Sequence, residues 1–359
     1  MDKQLRTWPA ALAGVLFGVA ASAGAALAET PVKMVLNWKY QGPQALILLA
    51  EDNGYFKEEG LKVTIDQGEG SGASITKVAT GAYDVGFGDI NALITLAAKA
   101  PGEAPIGVYM MYNTPPFTVV VKADGPIRTP KDLEGRTVGS PASDGALKLF
   151  PAFASMAGFD AGKVTLTNMQ ANLREQMLMR GQVDAVLGYV NTVTFGAKAA
   201  GMDPDRDFRF IRYADYGMDL YSNAIVVSRA FARENGEAVK GLLRAINRAI
   251  KDMIADPAGS VASVMKREPL LNEAVEVERT LATLRQEMNH PEIARIGLGD
   301  VDPERFRRAI AIVAQANGLE RTPEPSEIFT DAFLPPRAER PSRVVADTAP
   351  ASASASAAQ

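Results

Sequence analysis

The stretches "GASITKVATGAYDVGFGDINALI" and "NLREQMLMRGQVDAVLGYVNTVT", residues 72–94 and 172–194, align without a gap. Gly81 falls on Gly181, Asp84 on Asp184, Gly88 on Gly188 and Asn91 on Asn191. Each reads as a helix stopped by glycine, an aspartate-led buried strand ("DVGFG", "DAVLG") and a loop. Gly-x-x-Asp turns are common between helices and strands, but here the surrounding pattern agrees as well. The repeat therefore predicts an α/β fold in which the same βαβ step is used once in each of two lobes. The loops after the two strands carry Asp89 and Asn91 in one case and Tyr189 and Asn191 in the other. They lie at the carboxyl ends of sheet strands, where open α/β sheets bind ligands. If the lobes face each other, the four side chains converge on one cleft.

The lobes must also be joined. "PFTVVVKA" (116–123) and "YSNAIVVSR" (221–229) are apolar, β-rich runs that bracket the second repeat, and they read as two crossover strands. The first lobe is then discontinuous, residues 32–117 plus 222–330, with the second, 118–221, inserted between its parts. Paired crossings of this kind permit hinge closure on a ligand. Beyond residue 229, "RAFARENGEAVKGLLRAINRAIKDMIAD" and "DPERFRRAIAIVAQANG" show helical periodicity and are expected to pack around the first lobe.

Both ends read differently. "MDKQLRTWPAALAGVLFGVAASAGAALAET" has Lys3 and Arg6, an apolar run rich in Ala and Gly, and Ala26-Leu27-Ala28 ahead of Glu29, the layout of a cleaved export signal over residues 1–28. A retained membrane anchor is the other reading of so long a run. "AERPSRVVADTAPASASASAAQ", residues 338–359, is low in large apolar residues and reads as a disordered tail. The chain has no cysteine, which removes disulfides, thiolate metal sites and a lipid-bearing cysteine at the mature N-terminus. A free periplasmic protein follows as the expectation. The net charge of −4, with acids and bases interspersed, gives no electrostatic reason to expect nucleic acid.

"VLNWKYQGPQALILLAEDNGYFKEEGLKVTI", "GASITKVATGAYDVGFGD", "DLEGRTVGSPASDGA" and "RGQVDAVLGYVN" together resemble the solute-binding proteins of the thiamine-pyrimidine, sulfonate and nitrate ABC transporters, a group related to eukaryotic thiamine-pyrimidine synthases. The resemblance runs from about residue 32 to about residue 320. It implies the two-lobe periplasmic binding protein fold of type II, a small-molecule ligand, and an ABC permease in the inner membrane as partner, with the binding protein a monomer. "GYFKEEGL", its most recognisable piece, is scaffold: Asn53-Gly54 stops a helix and "LKVTID" begins a strand. Members of the group commonly stack a flat ligand on an aromatic after the first strand, where this chain has Trp38 and Tyr40. The alternative for Trp38 is a packing role at a strand end.

"GEGSGASITK" sets Ser71 or Ser74 ahead of a helix, and "TVGSPASDGALKLF" does the same with Ser140, Ser143 and Asp144. Helix N-termini present unpaired N–H groups, so each loop is a seat for an acceptor group, the alternative being plain capping, which is the reading for Ser143. No Gly-Lys-Ser/Thr follows, which argues against nucleotide. The candidate loops offer carboxylates, Asp89, Asp144 and, in "YGMDLYSN", Asp219 beside Tyr221 and Asn223. Buried carboxylates ask for a ligand that donates hydrogen bonds. An amine-bearing aromatic heterocycle fits: stacked on Trp38, donating to carboxylates, fixed by Asn91 or Asn191. Lys39, Arg136 and Arg174 keep a small organic anion (sulfonate, nitrate or carboxylate) as the alternative, and a sensory ligand-binding subunit needs the same cleft.

Catalysis is not expected. The synthases in the resemblance use a cysteine-rich segment and histidine in iron-dependent chemistry, whereas this chain has no cysteine and a single histidine, His290, far along the sequence from every cleft loop. Neither a histidine triad nor a metal site follows from spacing, and no cofactor is expected.

Overall fold

The computed structural model describes residues 29–344, so the export signal expected over 1–28 lies outside the described residues. Among the described residues, ten strands form two five-stranded sheets. The first has the order β2-β1-β3-β10-β4, built from β1 (Thr30–Val35), β2 (Leu61–Asp66), β3 (Val85–Asp89), β4 (Ile106–Met110) and β10 (Asn223–Val227). The second has the order β7-β6-β8-β5-β9, built from β5 (Phe117–Lys122), β6 (Thr137–Ser140), β7 (Thr165–Asn168), β8 (Ala185–Tyr189) and β9 (Phe208–Arg212). Each contains one antiparallel member: β10 against β3 and β4, and β5 against β8 and β9. These are the two apolar runs that bracket the second repeat.

The helices follow the same plan twice. In the first half α1 (Ala45–Asp52) and the single turn α2 (Tyr55–Glu58) connect β1 to β2, α3 (Ser71–Ala79) connects β2 to β3, and α4 (Ile90–Lys99) connects β3 to β4. In the second, α5 (Gly145–Ala157), α6 (Arg174–Met179) and α7 (Val190–Ala199) occupy the corresponding connections. The repeated aspartates explain why the step recurs. Asp84 accepts from Lys33 N at 2.8 Å and Asp184 accepts from Thr137 N at 2.8 Å, each tying the start of its strand to the neighbouring parallel strand. Gly81 and Gly181 precede them with φ of 75° and 69°, the left-handed stop of the preceding helix.

Strands buried on both faces read as continuous apolar runs, and "FTVVV" shows what such a run does. Val119 and Val121 join the large core shared with the first half, while Val120 and Val186 join a smaller cluster with Leu178, Val193 and Phe208 on the other face. The helix Gly236–Ala255 lies on α1 and α2, clamped by Arg244 on Glu59 and Arg248 on Glu58, so the charged turn of "GYFKEEGL" docks a later helix. The helix Pro303–Ala316 packs on both α4 and α5, and the helix Glu273–Gln286 on α7, so the halves touch through several elements.

Order continues past the expected start of the tail. Arg340, 7% exposed, donates to Leu298 O at 3.1 Å, and Val344 is 1% exposed. A buried guanidinium on two carbonyls and a buried valine anchor residues 338–344, which corrects the tail expected from 338; residues 345–359 lie outside the described residues.

Candidate binding site between the two sheets

The two repeated loops meet. Asp89 ends β3 and caps α4, accepting from Asn91 N at 3.1 Å and from Asn91 Nδ2 at 2.7 Å, and Asn91 Nδ2 also donates to Tyr221 O at 2.7 Å. From the second half, Tyr189 at the end of β8 brings its hydroxyl to 3.1 Å from Ser71 Oγ and donates to Asn223 Oδ1 at 3.0 Å. Ser71 Oγ donates to the same Asn223 oxygen at 3.1 Å. Asn191 Nδ2 donates to Thr283 Oγ1 and to Arg279 O, both on the helix Glu273–Gln286.

Two glycines permit this approach. Gly70, with φ of 127°, lies so close to Ser143 O that a Cβ would stand 2.4 Å from it. At Gly145 a Cβ would stand 2.7 Å from Tyr189 Oη and 3.1 Å from Asp89 Oδ2. Gly72 N donates to Ser143 O at 3.3 Å, so Ser143 contributes its carbonyl to the meeting of the halves. Capping of α5 falls to Asp144, which accepts from Ala146 N at 2.8 Å, rather than to Ser143 as expected.

Beside this network lies a pocket lined from both halves by Trp38, Ser71, Tyr112, Asp144, Tyr189, Asn191 and Glu287, with Asn37, Pro43 and Gln44 forming one wall. About 30 Å³ is free in it, room for roughly two waters. Trp38 is half-buried, Tyr112 and Glu287 are 2% and 3% exposed, and the Asn37 and Gln44 amides pair at 2.9 Å.

Of the residues singled out from sequence, the structure brings Trp38, Ser71, Asp144, Tyr189 and Asn191 to the pocket wall. Asp89, Asn91 and Asn223 stand one layer behind, in the network that joins the halves. Four lie elsewhere. Tyr40 turns away to donate to Ile65 O at 2.8 Å, and Ser140 Oγ is spent on Pro141 O at 3.2 Å. Asp219 is mostly exposed and pairs with Arg305 at 2.8 Å, while Tyr221 donates to Glu292 Oε2 at 2.8 Å under the Arg305 guanidinium. His290 sits beside Glu292 in the same cluster.

Sequence reasoning missed Glu287 and Tyr112. Glu287 caps the C-terminus of the helix Glu273–Gln286, an end whose partial negative charge disfavours an acid. That local disagreement was the available signal. Burial pushes the Glu287 carboxyl up to about 8, although hydrogen bonds with Asn191, Tyr112 and Thr283 pull the other way. Burial likewise raises Asp89 to about 7, with Oδ2 left without a partner, and raises Asp144 against the pull of Arg174, 3.8 Å away.

These shifts fix the sign of a pH dependence. A carboxyl whose folded pKa is raised holds its proton in the folded state after the unfolded chain has lost it, so stability is full below the unfolded value and is lost as pH rises through the folded one. Glu287 acts between about 4.5 and about 8, and Asp89 between about 4 and about 7. Stability in urea is expected to decline from pH 5 to 8.5 by up to about 1.4 kcal/mol per unit for each such group. Glu287→Gln is expected to remove the portion between pH 7 and 8.5, where Asp89 no longer contributes. An unchanged slope in the variant would contradict the assignment.

The surroundings of this pocket can be placed among known proteins. The family model described as NMT1/THI5 like matches residues 43–260. The chain is 25% identical over 307 residues to the formylaminopyrimidine-binding protein of Halalkalibacterium halodurans, covering 83% of this chain and 89% of that one. It is 26% identical over 272 residues to a 4-amino-5-hydroxymethyl-2-methylpyrimidine phosphate synthase of Aspergillus parasiticus, covering 72% and 78%. Among solved structures, the alkanesulfonate-binding protein SsuA of Xanthomonas axonopodis pv. citri, bound to MOPS, matches with a TM-score of 0.63 at 18% identity, covering 85% of this chain and 98% of that one. The fold is thus that of periplasmic binding proteins, and by the match across residues 43–260 this chain belongs to the NMT1/THI5-like family.

Proposed function

We propose that this chain is the substrate-binding component of an ABC importer, exported to the periplasm, which captures a small amine-bearing aromatic heterocycle of the thiamine-pyrimidine class between its two lobes. Residues 32–117 and 222–330 form the first lobe, residues 118–221 the second, and β5 and β10 are the crossings about which they part. The observation that carries this reading is the pocket's chemistry: an aromatic face, Trp38, beside two buried carboxyls, Glu287 and Asp144. A flat ring stacks on the indole, and ring amino groups donate to acceptors that burial otherwise leaves costly. The relative from H. halodurans, named for a formylaminopyrimidine, supports the ligand class. Capture without chemistry is the reading for a wall made of amides, phenols, carboxyls, an indole and the Ser71 and Thr192 hydroxyls, in which Ser71 Oγ is taken up by Tyr189 and Asn223 and not by a base.

Calorimetric titration with 4-amino-2,5-dimethylpyrimidine tests this. One molecule is expected to bind per chain, to be recovered chemically unchanged after long incubation, and to lose about tenfold or more in affinity on Trp38→Ala, the scale of a lost stacking contact plus its buried area. Binding of alkanesulfonates or nitrate in its place would replace the ligand class, and unaltered affinity in the Trp38 variant would remove the stacking site.

A further inference from the structure

The pocket between the halves has a one-sided charge. Among the described residues that line it, the charged side chains are Asp144 from one half and Glu287 from the other, 5% and 3% exposed, and neither Lys, Arg nor His joins them. Glu287 presents its carboxyl end, which is hydrogen-bonded by Tyr112 and Asn191, both wall residues, and by Thr283 on the preceding helix. Asp144 accepts from Ala146 N at 2.8 Å with one oxygen, while the other lies 3.8 Å from Arg174 Nη1. The buried cations nearby are committed. Arg174 spends Nε and Nη2 on Glu175 Oε1 at 3.0 and 2.8 Å. Arg279 is paired with Glu276 at 3.1 Å and pulls on Glu287 only through space. Each guanidinium answers a carboxylate of its own, and the two acids on the pocket wall are left without full counter-charge. Three aromatic side chains, Trp38, Tyr112 and Tyr189, line the same space. Aromatic rings beside uncompensated carboxyls favour a cation and disfavour an anion.

Building on the reading above, we propose that the pocket takes its ring as a cation, with Glu287 as the counter-charge. Without a ligand, Glu287 answers its burial by holding a proton well above the usual carboxyl range. A protonated ring nitrogen seated against it removes that need. The carboxyl proton passes to the nitrogen of a basic ring, or leaves to solvent where the ring arrives already protonated, and either way one carboxylate faces one cation. Away from water the attraction between them strengthens. The ligand class narrows from amine-bearing heterocycles to those basic enough to carry a proton, which sets neutral aromatic amines and anions apart.

Three rings of one outline test this by calorimetry at pH 7: 4-amino-2,5-dimethylpyridine, a cation in neutral water; 2,5-dimethylaniline, which is uncharged there; and 4-amino-2,5-dimethylpyrimidine, a base of intermediate strength. In the unaltered protein the pyridine is expected to bind about tenfold or more tighter than the aniline, the scale of a desolvated cation beside aromatic rings and a counter-charge. Glu287→Gln, of the same shape without the charge, is expected to cut that preference about fivefold or more, because a neutral acceptor holds a cation less strongly than a carboxylate does. Should Glu287→Gln fail to fold, Glu287→Asp, which keeps the charge but draws it back from the ring, is expected to cut the preference about threefold. Equal or tighter binding of the aniline in the unaltered protein, or a preference unchanged in the variant, would overturn the charge assignment, while binding of the pyrimidine leaves the ring reading intact. Failure of all three rings to bind would instead overturn the ring reading, and the charge assignment with it.

Discussion

Gly145→Val is expected to weaken ligand capture by about ten- to a hundredfold, the effect of about 1–3 kcal/mol of overpacking on the closed arrangement. The residue opens α5 directly after its cap, Asp144, and lies against Tyr189 and Asp89. A Cβ there would stand 2.7 Å from the Tyr189 hydroxyl, and valine's methyl groups would crowd further. To make room, Tyr189 must leave Ser71 and Asn223, the bonds by which the second half holds the first. Gly145 and Tyr189 belong to the same half and only Asp89 lies across from them, so the strain falls on that half as well as on the meeting of the two, and the ligand-free protein is expected to melt lower too. Titration of 4-amino-2,5-dimethylpyrimidine into the variant measures the affinity. Wild-type affinity would show that the halves need not meet at Gly145 to hold ligand.

Arg305→Met is expected to lower stability severely and spare the pocket. Arg305, 5% exposed, donates to Glu292 Oε1 at 3.1 Å, to Asn113 O at 2.8 Å and to Asp219 Oδ1 at 2.8 Å, and its guanidinium lies 4.2 Å from the Tyr221 ring centre. Methionine keeps much of the volume but strands the buried Glu292 carboxyl, which keeps Asn113 Nδ2 at 2.6 Å, Tyr221 Oη at 2.8 Å and the His290 ring at 3.7 Å but loses its guanidinium. Breaking one side of a buried pair costs about 3–5 kcal/mol. Urea denaturation is expected to show that loss, with melting lowered by about 10 °C. Asp219→Ala, which removes the exposed partner, is expected to cost under about 1 kcal/mol. Equal losses in the two variants would contradict the division between buried and exposed partners.

The same cluster shows where the sequence misleads. Asp219, Tyr221 and Asn223 are adjacent in "DLYSN" and look like one polar loop aimed at a ligand. As the chain enters β10, Asn223 faces Tyr189, whereas Asp219 and Tyr221 serve Arg305 and Glu292, more than seventy residues further on. Such partners carry no local signal. What was legible came from short-range chemistry: the Gly-x-x-Asp turn, because a left-handed glycine and a strand-tying aspartate are needed wherever the step occurs, and the apolar runs of β5 and β10. The resemblance pointed to Trp38 and Tyr40 after β1, and of the two Trp38 lines the pocket while Tyr40 turns away. Glu287 lies at a helix end far along the sequence from the repeat, and only the packing of the helix Glu273–Gln286 across α7 brings it to the pocket.

The central claim is that one ligand is held between halves that part to admit it. Lys198 on α7 and Glu278 on the facing helix form an exposed pair at 2.5 Å between the two halves, and the chain's lack of cysteine leaves it free for a single introduced pair. The measurement is the rate of ligand exchange in Lys198→Cys/Glu278→Cys after joining the two thiols with a short bismaleimide. Trapped ligand that no longer dissociates, together with exclusion of ligand added after joining, is the predicted result. Exchange at the rate of the unjoined protein would contradict the account.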